Sequence, residues 1–163
     1  MTPAFGEALI ALLPNLRRYA MSLSRRADIA DDLVQITVER ALTNHASFDP
    51  STRLEPWLFR ILRNAFIDMT RRNRTQGTQL DVFEMPEVIS TDGEAVIQSR
   101  LMLQSTVEAM EALPAEQRDV LHLVCIEELS YAEAAEVLDI PKGTVMSRLS
   151  RARLALAEKL GIK

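Results

Sequence analysis

Cysteine occurs once in this chain of 163 residues, histidine twice and glycine five times, and aromatic residues make up only 5%. One thiol, Cys125, can form no internal disulfide and no cysteine-rich metal cage, which predicts a protein of the reducing cytoplasm. His45 and His122 stand 77 positions apart with no cysteine or carboxylate at ligand spacing, so both read as structural and no metal is expected. There is no glycine-rich phosphate loop, no HExxH and no Ser/His/Asp arrangement. The pair Asp31-Asp32 points along adjacent helix directions, which does not converge on a nuclease metal site. No catalytic constellation and no cofactor site can be placed, and the chain reads as a non-enzyme. Arg or Asp interrupts every apolar run short of the ~18 residues a membrane span requires, so no membrane insertion is expected. The first charge is Glu7, with no basic stretch ahead of an apolar core, unlike a secretory signal.

Positive charge is in short supply overall, with 19 Lys and Arg against 23 Asp and Glu and a net charge of -4. That average argues against a nucleic-acid binder until it is resolved along the chain. Residues 53–74 hold 6 basic and 2 acidic side chains, residues 75–98 hold no basic and 5 acidic ones, and residues 141–163 hold 6 basic and 1 acidic. Two cationic surfaces on an acidic body are expected, and such segregation suits local binding of a polyanion.

No segment alternates with period two, and helical periods dominate, predicting an all-α fold of two small helical domains, 1–74 and 96–163, joined by a flexible linker at 75–95. Phe5, Leu9, Leu12, Leu13, Leu16, Tyr19 and Leu23 mark a first helix of residues 4–24 that Pro14 kinks or divides. Ala30, Leu33, Val34, Thr37, Val38 and Ala41 mark a second, with Asp31 and Asp32 in its first turn. Asp49-Pro50-Ser51 signals a turn, and a third helix of residues 55–72 is expected to bury Trp57, Leu58, Ile61, Leu62, Ala65, Phe66 and Met69. Its wet face would carry Arg60, Arg63, Asn64, Arg71 and Arg72. After an aperiodic, polar stretch, a helix with Ile97, Leu101, Val107, Met110 and Leu113 closes at Pro114. Residues 116–127 read as the next helix, with Val120, Leu121, Val124 and Cys125 on the buried stripe, which predicts an inert, buried thiol.

Ser130-Tyr131-Ala132-Glu133 is a capping box, in which hydroxyl and carboxylate satisfy each other's free backbone donors. It starts a short alanine-rich helix, followed by a turn at Asp139-Ile140-Pro141 and a final helix of residues 144–160. A short helix, a tight turn and a longer basic helix form the helix-turn-helix pattern. With Val145, Leu149, Ala152, Leu156 and Leu160 inward, the helical period of about 3.6 residues leaves Lys142, Thr144, Ser147, Arg148, Ser150, Arg151 and Arg153 outward. Arginine can pair with guanine bidentately while hydroxyls and lysine hold phosphates.

The stretch LSYAEAAEVLDIPKGTVMSRLSRARLAL resembles the C-terminal DNA-binding domain of extracytoplasmic-function sigma factors, the exchangeable promoter-recognition subunits of bacterial RNA polymerase. ADDLVQITVERAL resembles the family's polymerase-docking helix, and SFDPSTRLEPWLFRILRNAFID its promoter-melting segment. The resemblance implies that Asp31, Asp32, Leu33, Val34, Gln35, Thr37 and Arg40 bind the polymerase core. It implies that Phe48, Arg53, Trp57, Arg60, Arg63, Asn64, Arg71 and Arg72 capture the minus-10 strand, and that the seven outward residues of the last helix contact the minus-35 element. Promoter DNA, the core enzyme and an anti-sigma factor are the implied partners, and ADDLVQ with NHASFDPSTRLEPWLFRILRN resembles the alphaproteobacterial general-stress branch. The residues by themselves leave two readings: this sigma factor, or a stand-alone helix-turn-helix regulator whose first half serves another purpose. An acidic docking helix together with a basic, aromatic-flanked loop favours the former. Among the aromatics, Trp57 reads mainly as core and Phe48 fits either role.

The helix rotation makes a prediction. Replacing a base-reading Arg151 by Ala should cost about 1–3 kcal/mol and relax preference at one minus-35 position. Holoenzyme assayed on a panel of minus-35 variants at fixed salt gives the answer: a uniform loss on every promoter would make Arg151 a phosphate anchor.

Overall fold

The computed structural model of the chain describes residues 3–75 and 105–161. The expected linker, apart from Thr75, and the helix start at Ile97 and Leu101 lie outside the described residues. Everything with regular structure in the described residues is helical, without a strand.

The first helix is divided where proline demands it. Helix α1 spans Pro3–Ala11 and α2 spans Leu13–Ser24, with Pro14 in the first turn of α2, where the missing N–H would have no intrahelical partner. Arg25 ends α2 in the left-handed conformation, φ 60°. Helix α3, Ala27–Thr43, starts earlier than its apolar stripe indicates, so Asp28 lies in its first turn and Asp31 and Asp32 lie beyond that turn. A 3₁₀ turn at His45–Ser47 leads into the loop before α4, Leu54–Thr75. In that loop Asp49 accepts from the backbone N–H and the hydroxyl of Ser51, at 2.9 and 2.7 Å.

The second half comprises α5 at residues 105–111, α6 at Ala115–Leu121, α7 at Tyr131–Leu138 and α8 at Lys142–Leu160. Both halves contribute to one buried apolar cluster, in which Leu16, Leu33, Leu58, Phe59 and Leu62 join Val120, Leu123, Val145 and Leu149. Packing of α4 against α7 and of α2 against α6 carries the cluster across the junction.

Between α6 and α7 the structure departs from expectation. Residues His122–Ile126 form a π-helical turn, closed by the Glu127 N–H donating to the His122 carbonyl at 3.0 Å. One extra residue in a turn rotates the succeeding residues by about 100° relative to a continuous α-helix. His122 and Leu123 are therefore buried, Val124 is half-buried and Cys125 is exposed. The expected buried thiol is thus corrected: the apolar stripe that would have placed Cys125 in the core assumes a period that the π turn interrupts.

The register shift has a measurable consequence. Leu123→Ala should destabilise the fold by about 2–5 kcal/mol through the cavity it leaves. Cys125→Ala should stay within about 0.5 kcal/mol, as for other exposed positions. Urea unfolding of both variants checks the pair; a large loss for Cys125→Ala would restore the uninterrupted helix.

Candidate nucleic-acid interface

Helices α7 and α8 form the helix-turn-helix. Ser130 caps α7 as its spacing predicts: its hydroxyl accepts from the Glu133 N–H at 3.1 Å, and the Glu133 carboxylate accepts from the Ser130 N–H at 2.8 Å. Asp139 turns the chain in the left-handed region at φ 54°, and the Ile140 N–H closes back on the Ala135 carbonyl at 3.1 Å. Ala134 of α7 is fully buried, at a position where close packing leaves no room for a larger side chain. Val145, Leu149 and Ala152 are buried, while Leu156 and Leu160 are half-buried. On the other side Lys142, Ser147, Ser150, Arg151 and Arg153 are exposed and Thr144 is half-buried. Arg148 leans to one edge, 3.8 Å from the Glu116 carboxylate. Met146, half exposed, interrupts this polar face with an apolar side chain.

The second cationic surface is distributed along α4 and the loop before it. Phe48 and Trp57 pack with ring centroids 5.2 Å apart, and Phe5 from α1 meets them at 6.0 and 6.1 Å. Both Phe48 and Trp57 are half-buried, so each keeps part of its surface open. Arg60, Asn64, Arg71 and Arg72 are exposed along α4. The remaining two cations face the other half of the molecule. Arg53 bridges the neighbouring Glu55 at 3.0 Å and reaches Glu133 at 2.8 Å, the same carboxylate that completes the capping box of α7. Arg63 donates to Asp119 of α6.

On α3, Asp31, Asp32 and Gln35 are exposed. Asp31 pairs with Arg17 at 3.0 Å, and Gln35 approaches Glu39 at 3.4 Å. Arg40 pairs with Asp68 at 3.4 Å and Val34 is half-buried. Leu33 and Thr37 belong to the interior, both fully buried, with the Thr37 hydroxyl donating to the Leu33 carbonyl at 2.7 Å. These two side chains hold α3 in place, and the surface they were expected to form is left to their exposed neighbours.

Two polar networks across the junction were not visible in the sequence. In the first, the Asp119 carboxylate accepts from the Tyr19 hydroxyl at 2.7 Å and from Arg63. Burial pushes the Asp119 carboxyl up, and the Arg63 cation and the Tyr19 hydrogen bond pull against it. Burial, followed by the Asp119 charge, holds the Tyr19 hydroxyl protonated well above its ordinary range. In the second, Glu127 accepts from Asn15 at 3.1 Å, from Arg18 at 3.1 and 3.3 Å, and meets His122 Nε2 at 2.9 Å. Although burial opposes it, hydrogen bonds from His122 and Arg18 hold this carboxyl below its usual value. Tyr19 and Asp119 are 100 positions apart, beyond any local spacing. The one signal in the sequence was an acid, Asp119, directly beside the apolar stripe of α6.

Residues 9–76 match the family described as Sigma-70 region 2, and residues 103–156 match Sigma-70, region 4. The chain is 38% identical over 160 residues to the ECF RNA polymerase sigma factor EcfG of Rhodopseudomonas palustris, covering 98% of this chain and 87% of that protein. It is 33% identical over 143 residues to the ECF RNA polymerase sigma factor SigM of Bacillus subtilis, covering 85% and 84%. Among solved structures it is similar to the sigma factor RpoE of Bartonella quintana, crystallised in complex with the anti-sigma factor NepR. That likeness has a TM-score of 0.80 at 36% identity and covers 99% of each chain.

The junction can be tested by a double-mutant cycle. Arg63→Ala leaves a buried carboxylate short of a partner and should destabilise strongly, about 3 kcal/mol. Adding Asp119→Ala should cost less than the sum of the single losses, with a coupling of about 1–3 kcal/mol in urea unfolding. Additive losses would mean that the two side chains do not act together.

Proposed function

This chain belongs to the extracytoplasmic-function sigma factors, which direct RNA polymerase to promoters, and we propose that its two halves divide that task along the lines of their two cationic surfaces. Residues 1–74 dock on the core enzyme and open the minus-10 element, residues 96–163 read the minus-35 element, and residues 75–95 join them. The protein lends specificity to the polymerase and catalyses nothing itself. An anti-sigma factor is its regulatory partner, and a stress response in the cytoplasm is its setting. No helix among the described residues is long and apolar enough to cross a membrane.

The observation that carries this reading is the polar outer face of α8, where Lys142, Ser147, Ser150, Arg151 and Arg153 stand exposed on a body of net charge -4. Such a face docks on phosphates and presents donors to the major groove. On α3, exposed Asp31, Asp32 and Gln35 form the polymerase contact, since charged groups at a docking surface govern encounter and register. On α4, Arg60, Asn64, Arg71 and Arg72 track the displaced strand while the loop between Phe48 and Trp57 receives an unstacked base. Arg53 and Arg63 join them once their carboxylate partners on the second half are released. A stand-alone regulator has no use for a first half of this kind, and the match of residues 9–76 to Sigma-70 region 2 favours the sigma factor.

In a gel shift at moderate salt, the free full-length protein should bind promoter DNA weakly, because its net charge repels the duplex and two minus-10 cations are already paired. Core polymerase should make binding specific and start transcription. Asp31→Lys combined with Asp32→Lys should abolish co-purification with core enzyme while helix content by circular dichroism stays unchanged. Normal co-purification of that variant would refute the docking assignment, and tight specific binding by the free protein would return the stand-alone regulator.

A further inference from the structure

Two large apolar side chains stand exposed on α8, Met146 at 50% and Leu154 at 66%. The fold has no use for either, since Val145, Leu149 and Ala152 already make the buried face of the helix. Leu154 lies eight residues further on, about 12 Å along the axis, away from the N-terminal turns with which a recognition helix meets base edges. Met146 lies within those turns, next to Ser147 and one turn from Gly143 and Ser150. Each of these neighbours is small. Beyond the helix's own backbone nothing lies within 4 Å of where a Cβ on Gly143 would point. The Ser147 hydroxyl folds back along the helix and donates to the Thr144 carbonyl at 3.2 Å. The thioether chain of Met146, unbranched and adaptable in shape, therefore stands higher than the patch around it.

We propose that Met146 is a specificity-determining residue of the minus-35 contact, packing its thioether chain against the C5-methyl group of one thymine in the major groove. This contact rests on the reading of α8 as the minus-35 helix and adds to it a base recognised without a hydrogen bond. In the major groove guanine presents two acceptors, adenine an acceptor and a donor, cytosine a donor, and thymine an acceptor beside a methyl group. Methionine has no donor, and its sulfur is a weak acceptor. Set against a guanine or adenine edge, it would strip water from polar groups and return no hydrogen bond of comparable strength, which is unfavourable. Set against a thymine methyl, it takes two apolar surfaces out of water together, which is favourable. Desolvation thus selects the base, and the small side chains around Met146 let that base edge come close.

Deoxyuridine in place of thymine isolates the methyl group, because uracil keeps the pairing and the acceptor and lacks only that group. Holoenzyme assembled from the full-length chain and core polymerase is titrated with a promoter it transcribes, each minus-35 thymine of either strand being replaced in turn. At one thymine the replacement should weaken binding by about fourfold, the effect of leaving one methyl-sized apolar contact unmade. Met146→Ala should weaken binding to the unmodified promoter by a similar factor and be indifferent to uracil at that position. Met146→Leu, which restores apolar reach, should restore the sensitivity. Because Met146 is exposed, both variants should keep the helix content of the wild type. Indifference of the wild type to uracil at every position, or equal sensitivity in the wild type and Met146→Ala, would overturn the contact. Scrambling the whole minus-35 element separates the two levels of the reading. If scrambling abolishes binding while uracil has no effect, Met146 alone is misassigned; if scrambling changes nothing, α8 is not the minus-35 helix and the methionine contact falls with it.

Discussion

The Asp119 carboxylate is buried, and a buried charge persists only with its partners in place. Both of those partners, the Arg63 guanidinium and the Tyr19 hydroxyl, come from the other half of the molecule. Apolar contact between the halves is non-directional and would tolerate many relative orientations; a carboxylate that must find these two donors tolerates few. The Glu127 site repeats the logic on a second edge, where Asn15 and Arg18 reach across to a carboxylate that His122 already holds. The π turn belongs to the same constraint, since His122 and Glu127 close it and are buried together.

Packing the halves this way acts unequally on the two cationic surfaces. Most of the polar face of α8 remains exposed, whereas Arg53 and Arg63, on α4 and the loop before it, are held by Glu133 and Asp119. On the function proposed above, opening the junction and engaging a displaced strand would be linked exchanges, with phosphates taking the place of carboxylates on the same guanidinium groups. Because Glu133 also caps α7, Arg53 connects the loop before α4 directly to the helix-turn-helix.

Local features were legible in the sequence because local rules govern them. Pro14 divides the first helix, Ser130 and Glu133 form the capping box, and the period through Val145, Leu149 and Ala152 gives the outward face of α8 as the structure has it. A uniform period misleads where the chain has an irregularity, and a motif misleads where part of it is interior. Cys125 emerges from the core through one extra residue in a turn. Leu33 and Thr37 lie in the α3 motif from which a docking surface was expected and yet face inward, since a helix that presents Asp31, Asp32 and Gln35 must bury its other side. Phe59, buried in the core, went unnoticed beside the apolar stripe of α4.

The order of residues by itself determined most of the helices, the break at Pro14, the Ser130-Glu133 cap, the helix-turn-helix and the sign of charge on each segment, all of which depend on neighbours within a few positions. Only the tertiary structure decided which charges are free. Arg60 and Arg63 are one turn apart on α4 and indistinguishable by composition, yet the first is exposed and the second is tied to Asp119. That difference comes from residues brought together across 56 positions of chain, and a pairing over such a distance is set by how buried surfaces pack and by the cost of leaving a carboxylate without a donor.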